Sequence, residues 1–261
     1  DRAPAATSSI DDDASNRLLS LIPAMDCSAP ATNATLPRAL SIEIEQVANL
    51  LESGSTNTKD NSISPQLTGS WRLVYSNAAE ITSLAASLPL GFCLGPTYQP
   101  LDTTQGFFEN RAPIQHPWHV GQLEVSVVGD VRVAAPGTVN AVGVVNDQNN
   151  RVDVEFRAIT FQLQELLGFQ TNLQKSLTPN ANKSRAQPAN DVTYLDKDLR
   201  IVRGGDGALF IFVREASPAP MLTKAQRDML FSSSEDGKGV DVGVGVAESS
   251  DSPELRFLFQ S

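Results

Sequence analysis

Residues 191–215 read DVTYLDKDLRIVRGGDGALFIFVRE. Leu199 to Arg203 is a short β-branched run. Gly204-Gly205-Asp206-Gly207 is a turn, because its glycines supply the positive φ angles that a tight hairpin needs. Ala208 to Val213 then carries apolar side chains on both faces of a strand. A strand without a polar face must be covered on both sides, so the rest of the chain has to provide a core on one side and a cover on the other. The charges crowded before the turn (Asp191, Asp196, Lys197, Asp198, Arg200, Arg203) are expected to pair among themselves.

The cover comes from the N-terminal segment. Asp11-Asp12-Asp13 opens a helix whose apolar face is Leu18, Leu19, Leu21, Ile22 and Met25, and Pro23 ends it. A second helix places Leu40, Ile44, Val47 and Leu51 on one face and closes at Gly54. After a polar linker, strands follow. Gly69 to Ser76 alternates with Trp71, Leu73 and Tyr75 on one face. Ala78 to Leu88 is a short apolar helix or lid. Leu94 to Leu101 and Gly106 to Ile114 form a hairpin. Gln122 to Val133 puts Leu123, Val125 and Val127 inward, and Val139 to Val145 is a further strand. From Arg151 to Leu163 the inward set is Val152, Val154 and Phe156, followed by a one-residue slip of phase that marks a β-bulge near Ala158. Residues 164–177 read as partly helical and 178–190 as a polar loop. The tail to Ser261 has linker composition, with one apolar patch at 255–259.

Eight or nine strands with mostly short turns predict a mainly β protein: an antiparallel sheet closed on itself, a lipocalin-like β-barrel with the N-terminal helices packed on the outside. The domain reading is 1–68 for helices and linker, 69–216 for the barrel, and 217–261 for an acidic linker and tail. In an up-and-down barrel the first and last strands pair antiparallel. Arg214 is therefore expected to stack on Trp71 at the base, with Arg203 as the alternative.

Charge and composition exclude several functions. The net charge is −10; residues 1–68 hold nine acids against four bases, and 69–216 fourteen against twelve. No clustered basic face exists for nucleic acid, nor for docking to anionic lipid by charge. No run of about 18 apolar residues is present to span a membrane as a helix. His116 and His119 lack a third ligand, so no metal is expected, and they read as exposed loop residues. Trp118 between them is a candidate for the barrel mouth or for contact with lipid. Cys27 and Cys93 match no metal or redox spacing and read as two buried thiols, with a disulfide pinning the helices to the barrel as the alternative. No catalytic fingerprint is present, no cofactor is implied, and the chain reads as a non-enzyme.

The stretches GSWRLVYSN (69–77), GPTYQPLDTTQGFFEN (95–110), RVDVEF (151–156) and DVTYLDKDLRIVRGGDGALFIFVRE (191–215) resemble, in that order and spacing, the plastid lipid-associated protein / fibrillin family of plants and algae. The resemblance covers about residues 11–216. It implies a plastid protein (plastoglobule, thylakoid or stroma) with a lipocalin-like barrel for a lipophile: a carotenoid, a prenylquinone or a fatty acid. It also implies a peripheral place on lipid droplets or thylakoids, and a link to photoprotection. On this reading Trp71, Leu73, Tyr75, Leu123, Val125, Val127, Val152, Val154, Phe156 and Phe210 line the ligand site. Asp196, Asp198, Arg200, Arg203 and Arg214 form a structural or headgroup network. Leu84, Leu88, Leu90 and Phe92 make an apolar rim that enters lipid. The alternative is a scaffold with a filled interior that holds a partner enzyme of prenylquinone synthesis. A buried, unpaired carboxylate in an open cavity would instead favour an isomerase or lyase.

Overall fold

A computed structural model of the chain describes residues 5–54, 57–86, 88–118, 120–177, 189–217 and 221–235. His119, the 178–188 loop and the 255–259 patch lie outside these. Four helices, α1 (Ala5–Leu21), α2 (Arg38–Gly54), α3 (Ala79–Ala86) and α4 (Lys224–Glu235), accompany eleven strands. The strands are β1 (Ala31–Thr32), β2 (Gly69–Ser76), β3 (Cys93–Leu94), β4 (Tyr98–Asp102), β5 (Phe107–Gln115), β6 (Gly121–Val133), β7 (Arg151–Leu166), β8 (Phe169–Leu177), β9 (Ala189–Leu195), β10 (Leu199–Gly204) and β11 (Leu209–Arg214). No helix among the described residues is long and apolar enough to cross a membrane.

Eight strands close into a ring in the order β2-β11-β10-β9-β7-β6-β5-β4, with β4 pairing back to β2. Every ring pairing is antiparallel. The Gly204–Gly207 turn joins β10 to β11 as the sequence predicts, with Gly207 at φ +87°. Side chains then alternate across the two strands. Leu199, Ile201, Leu209 and Ile211 face outward into one core cluster, whereas Val202 and Phe212 face inward into another, with Phe210 packed against it.

The outward cluster is sealed by α1 and α2. Leu18, Ile44, Val47 and Leu51 are all at most 2% exposed and pack with Tyr194, Ile201 and Ile211. Polar contacts fix the seating: Glu52 of α2 receives Arg203 at 2.7 Å and the Thr193 hydroxyl at 2.6 Å. α1 already includes Ala5, upstream of the acidic triplet expected to open it, and the alanines there favour helix.

Among the described residues, β7 and β9 share the pairs from Arg151↔Asp191 to Asp153↔Ala189. A buried ion pair spans this seam. Arg151 donates from Nε and Nη2 to Asp191 at 2.7 and 2.8 Å, from Nη1 to the Thr138 carbonyl and from Nη2 also to the Val144 carbonyl. The loop before β7 thus wraps a guanidinium. Val139 to Val145 forms no strand beyond a single bridge, since Asn140 Oδ1 accepts from the Val142 and Val144 amides and Gly143 sits at φ +85°.

Several further expectations are corrected. Residues 164–177 are not helical: β7 continues to Leu166 and turns into β8. The β-bulge expected near Ala158 is present: a register shift opposite Val128/Gly129 leaves Arg157 unpaired. A second shift, between β2 and β11, leaves Val74 unpaired and turns Tyr75 outward onto α2, where its hydroxyl donates to Glu45 at 3.2 Å. Cys27 and Cys93 are joined in a disulfide rather than free, with Cα atoms 6.3 Å apart. A separation of 66 residues says nothing of distance once the 310 turn at Asp26–Ser28 lies beside β3. The 217–235 segment is also more than a linker. α4 lies on the outer wall with Arg227 over the Phe107 ring at 4.0 Å and Phe231 under Arg157 at 5.1 Å.

Candidate ligand-binding cavity

The ring encloses a cavity of about 800 Å3. Its walls are apolar because three strands present alternate residues to it: Leu123, Val125 and Val127 from β6, Val152, Val154 and Phe156 from β7, Phe210 and Phe212 from β11. Leu73 of β2 completes this set. Of the ten residues expected to line the site, eight do so. Tyr75 is outside the ring under α2. Trp71 lies in the same core cluster as the cavity walls but at the ring base, its indole donating to the Leu67 carbonyl at 3.0 Å.

The base is closed by stacked cations and rings. Arg214 lies over Trp71 at 4.1 Å, as the antiparallel pairing of first and last strands predicts. Arg214 is held there by the carbonyls of Lys197 and Thr68. Gly69 makes this approach feasible: a Cβ at that position would sit 2.3 Å from Arg214 Nη1. Arg203, the alternative, points outward to α2. Arg200 was not anticipated at this place. It lies 4.9 Å from the Trp71 ring and 4.1 Å from the Phe212 ring, and it faces the cavity floor. Burial, and secondarily the like charge on Arg214, push the Arg200 guanidinium down to about 9, so it is cationic at neutral pH. The signal was present in the sequence. With Leu199 and Ile201 committed to the outer core, period-two alternation sends Arg200 inward.

The five charged residues expected to share one network go separate ways. Asp196 caps its own turn by accepting from the Asp198 and Leu199 amides and from the Tyr194 hydroxyl. Asp198 pairs with exposed Lys197 at 3.1 Å. Arg203 takes Glu52, Arg214 takes backbone carbonyls, and Arg200 takes the Gln99 side-chain oxygen and two rings. No group of three His, Cys, Asp or Glu side chains among the described residues could hold a metal ion.

At the other end of the cavity, Ile81 and Leu84 of α3, with Leu88 after it, face inward and cover the mouth. Two of the four expected rim residues are therefore lid residues. Phe92 packs edge-on to His116 at 5.2 Å, and only Leu90 projects, 87% exposed. Glu80, at the start of α3, also faces the mouth, and burial raises its pKa. The β5–β6 turn carries Trp118, and the β7–β8 hairpin end carries Leu167 and Phe169, at 84%, 68% and 75% exposure. The turns meet, since the Leu167 amide donates to the Val120 carbonyl at 2.9 Å, and His116 bonds the Leu90 carbonyl at 3.1 Å.

A family model, PAP_fibrillin, matches residues 17–213, which takes in the end of α1, all of α2 and the ring up to Val213. The chain belongs to the PAP_fibrillin family. It is 29% identical over 162 residues to plastid-lipid-associated protein 6 of Arabidopsis thaliana, covering 57% of this chain and 52% of that one. It is 26% identical over 204 residues to a probable plastid-lipid-associated protein 3 of Oryza sativa subsp. japonica, covering 67% and 53%. A plastid lipid-associated protein 3 of Brassica campestris is 28% identical over 212 residues, covering 67% and 54%. This fibrillin-family chain spans about half the length of these relatives. All of them are named chloroplastic, and this is a plastid protein. None of the three names carries a catalytic activity. No solved structure matches the chain.

Proposed function

We propose that this fibrillin-family protein holds one lipophilic molecule inside a lipocalin-like barrel, and that it does so at the surface of a plastid lipid body or thylakoid. The observation that carries the first half is the cavity: about 800 Å3, apolar, inside a closed ring and under an apolar lid. That volume falls within the roughly 300–1,000 Å3 of small-molecule sites. Transfer of an acyl or prenyl chain into such a space stabilises the complex by about 0.8 kcal/mol per methylene, so carriage needs no catalytic group. An open interior disfavours the scaffold reading, which rests on a filled one. The carotenoid, prenylquinone and fatty acid classes implied by the family all suit these walls. The test is native mass spectrometry of the protein purified from its plastid, followed by lipid identification. The expected result is a lipophile at close to one per chain. A chain that carries none and takes none up from a total lipid extract would refute it.

The second half rests on the tip. Leu90, Trp118, Leu167 and Phe169 are exposed together at one end. Leu90 and Leu167 are held at φ +59° and +52°, a conformation in which Gly or Asn costs less. Exposed leucines in strained turns beside an exposed tryptophan and phenylalanine make an apolar patch of the kind that enters lipid. Insertion of two large side chains contributes roughly 3–6 kcal/mol. The double variant Trp118→Glu/Phe169→Glu should therefore lose at least tenfold of its flotation with phosphatidylcholine-coated oil droplets, at an unchanged melting temperature. Wild-type flotation should survive high salt, because little charge is involved. Loss of wild-type flotation at high salt would mean that charge, not the tip, holds the surface.

A further inference from the structure

Among the described residues, two buried side-chain polar atoms have no hydrogen-bond partner: Thr97 Oγ1 and Arg200 Nε. Both residues face the same cavity. Folded proteins satisfy most buried polar side-chain atoms, and a buried cation without a counter-charge is costlier than a buried hydroxyl. Three other arginines in the ring have their acids, Arg151 with Asp191, Arg203 with Glu52 and Arg111 with Glu109, and Arg214 has backbone carbonyls. Arg200 is fully buried with no carboxylate paired to it among the described residues, and the charge that acts on it is that of Arg214, of the same sign. Its Nη2 donates to Gln99 Oε1, and Gln99 is oriented for this by donating its own amide to Asn110 at 2.8 Å. The acids that face the cavity, Glu80 and Asp206, sit at the other end, on the lid helix and the β10–β11 turn.

We propose that Arg200 and Thr97 form the head site of an acidic amphiphile, binding the carboxylate of a long-chain acid whose tail runs up the apolar walls toward α3. This inference rests on the lipophile-carrying reading above and adds the chemical class. A carboxylate accepts from the Arg200 Nε–H and the Thr97 hydroxyl at once, and charge-assisted bonds of this sort are about twice as strong as neutral ones. A neutral ester or quinone brings no counter-charge, so it leaves the buried guanidinium uncompensated and gains little from the site. The floor rings suit this role. Trp71 and Phe212 hold the guanidinium by their faces and leave its edge for the ligand.

The experiment uses the full chain, stripped of lipid, titrated by calorimetry with palmitic acid, methyl palmitate and palmitoyl lysophosphatidic acid. The acid should bind at least tenfold tighter than the methyl ester. In Arg200→Met the two should bind alike, with the ester unchanged. Should Arg200→Met fail to fold, Thr97→Val removes one head contact without touching the base and should weaken the acid several-fold but not the ester. Equal wild-type affinity for acid and ester would overturn the head site while leaving the lipophile reading standing. Tighter binding of the lysophosphatidic acid than of palmitate would overturn the carboxylate assignment. No binding of any of the three would sink the lipophile reading itself.

Discussion

A chain lacking residues 1–54 is expected to lose its cooperative melt and to aggregate. The helices it would lose cover the outward faces of β9, β10 and β11, and Leu18, Ile44, Val47 and Leu51 are at most 2% exposed there. Each such side chain contributes about 1.5–3 kcal/mol on burial, so four of them amount to roughly 6–12 kcal/mol. The whole stability of a typical domain is only about 5–15 kcal/mol. Truncation would also bare Tyr194 and Ile211 on the ring side and orphan Arg203, whose acid is Glu52. Point variants separate this seal from a general effect of length. Ile44→Asp places a charge against the ring and should cost more than about 4 kcal/mol. Leu50→Asp, on the solvent side at 61% exposure, should change stability by less than about 0.5 kcal/mol. Chemical denaturation of both variants reads the difference. Equal losses, or a truncated chain with an unchanged melt, would show that the helices are not part of the core.

Much of this architecture was readable from local chemistry. The all-apolar β11 demanded a cover, and the four-three-four spacing in α2 supplied it. The phase slip in β7 marked a real bulge, and Gly69-x-Trp71 with Arg214 located the base. What escaped has physical causes. Tyr75 alternates cleanly with Trp71 and Leu73 in sequence. Its turn outward comes from a register shift against β11, which the β2 sequence alone does not encode. Residues 169–177 hold glutamines, leucines and a lysine, good helix formers, and became strand only because the edge of β7 offered its hydrogen bonds. That error hid the tip, since Leu167 and Phe169 belong to the hairpin turn it misread. The charge-rich 196–203 run suggested one network. Alternation on β10 splits it, sending Arg203 to α2 and Arg200 to the cavity floor. The disulfide stood only as the alternative because the spacing of Cys27 and Cys93 is silent on pairing, which depends on which loops meet.

The central claim is that the interior of the ring, and not its outer surface, holds the lipophile. Val127 tests this. It is half-buried, lines the cavity from β6, and its remaining exposure is toward the empty space, so an indole can enter without displacing backbone. Val133, half exposed at the other end of the same strand, serves as the control. The measurement is equilibrium binding of a long-chain fluorescent lipid probe to wild type, Val127→Trp and Val133→Trp, each checked for an unchanged melt. The account predicts that Val127→Trp lowers affinity at least tenfold while Val133→Trp binds like wild type. Wild-type affinity in a folded Val127→Trp protein would contradict it.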